Sequence, residues 1–96
     1  MWFVYIAQLH NGKLYVGKTR DLQRRILEHL SGRGGHTSKT FGFGAVLYVE
    51  LHFTASSAAR RELQLKRWSG EKKHALISGD VQHLKLLSIP HKMKKK

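Results

Sequence analysis

Residues 3–9 and 13–18, FVYIAQL and KLYVGK, are rich in β-branched and aromatic side chains and are separated by His10-Asn11-Gly12. An Asn-Gly step between two such runs is the strongest short-range signal for a β-hairpin. Two registers fit the spacing. A two-residue turn pairs His10 with Lys13 and sends Tyr5 and Tyr15 to opposite faces. A three-residue loop with Gly12 in the left-handed conformation pairs Leu9 with Lys13 instead. The second register gathers Tyr5, Ala7, Tyr15 and Gly17 on one face and Val4, Ile6, Leu14 and Val16 on the other. It separates a polar-tipped face from an aliphatic one, and it is the register expected here.

From Asp21 the period becomes helical. Leu22, Ile26 and Leu30 recur every four residues, with Thr19 or Asp21 as N-cap and Gly32 as the stop. At about 100° per residue, Arg25 and His29 fall beside the Leu22/Ile26 stripe, while Arg24 and Glu28 fall on the far side. Arg24 therefore reads as a solvent residue pairing with Glu28, and Arg25 as one held at the edge of the packed face.

Residues 32–44 hold five glycines with Arg33, His36 and Lys39 and read as a basic loop. A third strand is expected over residues 45–53. A second helix follows Thr54, capped at Ser56 or Ser57, then a third over residues 71–77 after Ser69-Gly70. A short last helix runs from Gly79-Asp80 to about Leu87 and stops at Pro90. The expected architecture is α+β, a three-stranded antiparallel sheet flanked by helices. Residues 1–79 form the main domain, and residues 80–96 a short helix and a basic lysine tail.

A chain of 96 residues hides only roughly 60–68% of its unfolded surface, so its core must be small. It has no cysteine, which rules out disulfides, thiolate nucleophiles and Cys-type zinc sites. The apolar start ends at Gln8, too short for a membrane span and without a basic leader, so no membrane association is expected. The 18 Lys and Arg against 6 Asp and Glu give a net charge of +12. Four of the cations lie in the last five residues, so the rest still carries +8 (14 against 6). Such a field draws polyanions, and nucleic acid is the commonest one in a cytoplasm. Expected partners are DNA, with branched or damaged forms as candidates, then RNA, and a partner protein that selects substrate. The expected location is cytoplasmic, with the nucleoid.

The six acids, Asp21, Glu28, Glu50, Glu62, Glu71 and Asp80, are scattered over five elements, which argues against carboxylate-rich two-metal sites and paired-acid glycosidases. No nucleophile elbow or phosphate-cradling loop is present. The seven histidines show no i, i+4 pair and read mostly as scattered surface residues. Glu62 differs, because it lies on the helix face of Ala58 and Leu65, where a lone carboxylate is costly. Lys66 at i+4 is one partner; a metal ion facing the tyrosine-bearing sheet is the other. Tyr5 and Tyr15 on one face, with Lys18 at the strand end and Arg25 on the following helix, would make a cation-lined aromatic pocket.

Several segments together resemble the GIY-YIG endonuclease superfamily, in particular its small stand-alone bacterial members. They are Val4-Tyr5-Ile6, Tyr15-Val16-Gly17-Lys18-Thr19, Asp21-Leu22 with Arg25 and His29, Arg61-Glu62 with Leu65-Lys66 and Trp68, and Lys72-Lys73 with Ala75-Leu76-Ile77. The first motif departs from the family name, since Phe3-Val4-Tyr5 lacks the glycine while keeping the tyrosine. The resemblance implies a DNA endonuclease, of a kind used in DNA repair, with one divalent cation, Mg²⁺ or Mn²⁺, held by Glu62. It implies that Arg25 neutralises the scissile phosphate, that Tyr5 or Tyr15, with Tyr15 favoured, deprotonates the attacking water, and that Lys18 and His29 support charge or orient the others. Lys18, Arg33, Lys39, Lys66, Lys72 and Lys73 are the expected nucleic-acid contacts. The alternative is a basic DNA- or RNA-binding protein that keeps the nuclease fold without catalysis.

Overall fold

A computed structural model of the chain describes residues 1–31 and 43–88. Strands β1 (Trp2–Leu9) and β2 (Leu14–Thr19) form the hairpin, and helix α1 (Leu22–Leu30) follows at once. Strand β3 (Phe43–His52) leads into helices α2 (Ala55–Lys66), α3 (Gly70–Ser78) and α4 (Val81–Ser88). The strands make one antiparallel sheet in the order β2-β1-β3. The fold is the expected α+β arrangement.

The hairpin takes the bulged register. Tyr5 pairs with Gly17, Ile6 with Val16 and Ala7 with Tyr15. Leu9 N–H donates to the Lys13 carbonyl at 2.9 Å, Gly12 N–H donates to the Leu9 carbonyl at 2.9 Å, and Gly12 has φ 86°. Only a residue without Cβ adopts that angle cheaply, so Gly12 fixes which strand faces meet.

The two faces of the sheet carry different cores. On one, Val4, Ile6 and Val16 pack with Ala58 and Leu65 of α2. On the other, Tyr5 and Ala7 pack with Tyr15, Val46 and the α1 residues Leu22 and Ile26. Each fully buried Ile, Leu or Val contributes about 1.5–3 kcal/mol of transfer free energy, so this small apolar set holds both helices to the sheet.

Asp21 caps α1 by accepting from Arg24 N–H at 3.1 Å. The cap of α2 is Thr54, not Ser56 or Ser57: its hydroxyl accepts from Ser57 N–H at 3.1 Å, so the helix starts earlier than expected. Ser69 caps α3, and α4 packs back on it, with His83 Nε2 3.0 Å from Glu71 Oε2. The third strand also begins earlier, at Phe43, and pairs with Leu9 through two register irregularities. Leu30 completes the four-residue spacing but is exposed, so the buried stripe of α1 ends at Ile26 and His29. The expected loop residues Arg33, His36 and Lys39, the Pro90 stop and the lysine tail lie outside the described residues. Among the described residues, no helix is long and apolar enough to cross a membrane.

Candidate active site

The site forms where the hairpin meets α1. Tyr5 leaves β1 on the α1 side and is only 1% exposed. Its ring runs over Gly17 of the neighbouring strand, where a Cβ would sit 2.5 Å from the Tyr5 hydroxyl. Glycine at 17 is therefore a space requirement for the phenol. The Tyr5 oxygen lies 3.4 Å from Arg25 Nε, which donates to it, and 2.9 Å from His29 Nε2. With the arginine donating, the phenol proton is left for an imidazole nitrogen that accepts. The rings of Tyr5, Tyr15 and His29 pack together, with Tyr15 and His29 5.2 Å apart and nearly perpendicular.

The environment tunes these groups. Burial raises the Tyr5 pKa, and the Arg25 hydrogen bond offsets only part of that. Burial, then the positive charge of Arg25, lowers the pKa of His29, so the imidazole is neutral near pH 7. The Tyr5 hydrogen bond leads the effects that raise Arg25, which stays charged at any working pH. His29 is thus a buried member of the site, on the packed side of α1 where helical phase places it.

Glu62 arrives from the other side of the sheet. Lys18 is in register with Val4 and leaves β2 on the aliphatic side, where α2 packs. Its Nζ is 3.2 Å from Glu62 Oε1, and Lys66 Nζ is 3.4 Å from Glu62 Oε2. The carboxylate therefore stands on the Ala58/Leu65 side of the sheet, opposite the face that bears the tyrosines. It meets the tyrosine cluster at the β2 edge, near enough for its charge to raise the Tyr5 pKa further. Lys18 and Arg25 line a common open cleft of about 370 Å³ beside it. Tyr5, Tyr15, Arg25 and His29 are thus in direct contact, and Lys18 carries Glu62 to their border.

The remaining expected contacts are placed less uniformly. Lys66 is at the site, bound to Glu62. Lys72 lies over the Trp68 ring at 4.2 Å, with Arg61 on the same indole at 5.2 Å. Lys73 is half-buried on α3.

A second polar network escaped the sequence reading. Glu50 accepts from Arg61 Nε at 2.8 Å and Tyr48 OH at 2.6 Å, and contacts His52 Nε2 at 2.7 Å, while His52 Nδ1 contacts Ser57 Oγ at 2.5 Å. Burial raises the Glu50 pKa, but the hydrogen bonds from Tyr48, His52 and Arg61 outweigh it and leave the carboxyl lowered. The available signal was the alternation: Tyr48, Glu50 and His52 share one strand face, and Arg61 lies between Ala58 and Leu65 on the packed face of α2. This network pins α2 to β3 at the residue preceding Glu62.

A family model described as the GIY-YIG catalytic domain matches residues 1–75. The chain belongs to the GIY-YIG family. The matched span takes in the hairpin, α1, β3, α2 and most of α3. Among its relatives, a UPF0213 protein of Staphylococcus saprophyticus is 36% identical over 76 residues, covering 79% of this chain and 93% of that protein. A UPF0213 protein of Staphylococcus epidermidis is 32% identical over 75 residues, covering 78% and 92%. The solution NMR structure of a UPF0213 protein from Bacillus halodurans superposes with a TM-score of 0.52 at 34% identity, covering 81% of this chain and 84% of that one.

Proposed function

We propose that this GIY-YIG protein is an endonuclease that hydrolyses phosphodiester bonds in DNA. The observation that carries this reading is the contact of Arg25 with the buried Tyr5–His29 pair, beside Tyr15, with Arg25 also lining an open cleft together with Lys18, the partner of Glu62. Water attacking a phosphodiester needs a base, a counter-charge for the phosphoryl oxygens and help for the leaving oxygen.

Tyr15 is the proposed base. Tyr5 is the poorer candidate, since burial pushes its pKa up and its proton is engaged with His29, whereas Tyr15 is half-exposed. Arg25 is the phosphate clamp, because its guanidinium stays charged and is steadied by Tyr5. Tyr5 and His29 hold Arg25 and Tyr15 in place, and Lys18 adds positive charge beside the reacting phosphate.

Glu62 is the residue that would hold a divalent cation. Each of its oxygens already attracts a lysine ammonium, 3.2 Å and 3.4 Å away, so the position suits positive charge. Among the described residues no group of three or more His, Cys, Asp or Glu could hold a metal. One carboxylate suits an ion such as Mg²⁺ that keeps most of its waters. When bound, the cation supplies charge neutralisation at the phosphate and acidifies its water.

The test is a cleavage panel on labelled duplex, branched and single-stranded DNA, with Mg²⁺, Mn²⁺ or neither, comparing the wild type with Glu62→Gln. Cleavage should require the metal and Glu62, while DNA binding is kept or tightened because a negative charge is lost. Binding without cleavage under every condition would leave a basic binding protein on a nuclease fold.

A further inference from the structure

The open cleft beside the site extends past Lys18 and Arg25 to side chains that the mechanism does not use. It runs between the end of β2 and the first turns of α1 and is also lined by Trp2, Arg20, Arg24 and Glu28. Four cations and two carboxylates, Asp21 and Glu28, line it, so it is net positive. Asp21 is committed to capping α1 through Arg24 N–H. The Arg20 guanidinium forms no ion pair among the described residues and rests over the Trp2 ring at 5.8 Å, near the outer limit of a cation–π contact. The Arg24 side chain is 77% exposed, with Glu28 at 3.5 Å.

Glu28 is the informative member. Its Oε1 is 3.1 Å from Arg25 Nη1 and its Oε2 is 3.5 Å from Arg24 Nε. One carboxylate thus bridges two arginines as a phosphate group would, with two anionic oxygens presented to two guanidinium groups. The volume of about 370 Å³ is at the small end of ligand clefts, enough for one nucleotide unit.

We propose that this cleft binds the phosphodiester next to the scissile one through Arg20 and Arg24, and that Glu28 stands in for the nucleic acid, one oxygen toward Arg24 and one toward Arg25, until the strand displaces it. The inference rests on the hydrolase reading for the direction of the strand, but the binding it predicts does not require hydrolysis. Arg24, which the helical wheel assigns to solvent and a pairing with Glu28, becomes a substrate-positioning residue, and the two adjacent arginines grip neighbouring phosphates.

The experiment measures the affinity of the full chain for a fluorescent 20-base-pair DNA duplex without divalent metal, from 50 to 300 mM salt. Arg20→Gln and Arg24→Gln should each weaken binding and reduce the slope of log K against log salt by about 0.9, the loss of one phosphate contact. Glu28→Gln should bind more tightly than the wild type, since a competing anion is gone. Arg60→Gln is the reference, an exposed arginine on α2 outside this cleft. Unchanged slopes for Arg20→Gln and Arg24→Gln, or an equal loss with Arg60→Gln, would overturn the subsite, and weaker binding by Glu28→Gln would overturn the placeholder role. Because no metal is present, these results stand apart from the cleavage panel, so either reading can fail alone.

Discussion

The phenol oxygen of Tyr5 lies 2.9 Å from Nε2 of His29, a contact that joins the first strand to the last turn of α1 and leaves both groups almost wholly buried. Neither side chain can titrate freely there. A buried pair of this kind costs more to break than a surface hydrogen bond, because the partner left behind has no water to take the lost contact's place.

That pair gives the stability a pH dependence. The folded pKa of His29 lies below its ordinary value, so between the two values the unfolded chain binds more protons than the folded one. Its contribution is complete above about pH 6.5 and is lost as the pH falls from there toward the folded value. Urea unfolding at pH 7.5 and 5.5 should show a falling midpoint in the wild type and a smaller fall in His29→Gln. The lowered Glu50 carboxyl contributes stability above about pH 4.3 and loses it below, so its effect belongs to a more acid window and will not mask that of His29.

Gly17→Ala places a methyl against the Tyr5 hydroxyl, with ideal geometry putting the new carbon 2.5 Å from the oxygen. Relief requires moving a ring wedged among Ala7, Tyr15 and α1. The expected cost is about 1–3 kcal/mol, read as a drop in thermal midpoint, with activity reduced further because Tyr5 no longer supports Arg25. Gly12→Ala is the comparison: nothing lies within 4 Å of its Cβ, so its penalty comes only from the positive φ.

Much of this was legible from residue order, and what was not has a definite physical reason. The hairpin register followed from Asn11-Gly12 and the sorting of Tyr5 with Tyr15, because strand alternation is exact and local. The place of Arg25 and His29 beside the packed stripe of α1 followed from helical phase. The side of the sheet from which Glu62 approaches did not, because it depends on which face α2 covers, a tertiary choice set by Val4, Ile6 and Val16. The Glu50–Arg61 pairing was hidden for the same reason, since its two halves lie 11 residues apart on elements of different period.

Arg25→Ala should lower the cleavage rate by about 100- to 1,000-fold, the usual loss when one preorganised donor to a developing oxyanion is removed. Single-turnover rates at saturating protein isolate this from binding. Arg25→Lys should recover little, because a single ammonium cannot hold Tyr5 and a phosphate together as the guanidinium fork does. Rates equal to the wild type would remove Arg25 from the chemistry.

Tyr15→Phe should abolish the pH-dependent rise of the cleavage rate, and with it nearly all activity, if that phenol accepts the proton of water. Tyr5→Phe should leave a slower enzyme whose pH profile keeps its shape, since Tyr5 acts through Arg25 and His29. The two profiles, measured side by side, exchange roles if Tyr5 is the base.

The 44-residue separation of Lys18 and Glu62 along the sequence has a consequence for the life of the chain. As a polypeptide leaves the ribosome, the hairpin, first helix and third strand, whose Val46 completes the packing around Tyr5, are all made before α2. The aromatic trio and its arginine then exist without their acid. On the proposed function, cutting begins only when the helix that bears Glu62 seats on the completed sheet. Half-made or unravelled copies would cling to nucleic acid through their positive charge and leave it whole.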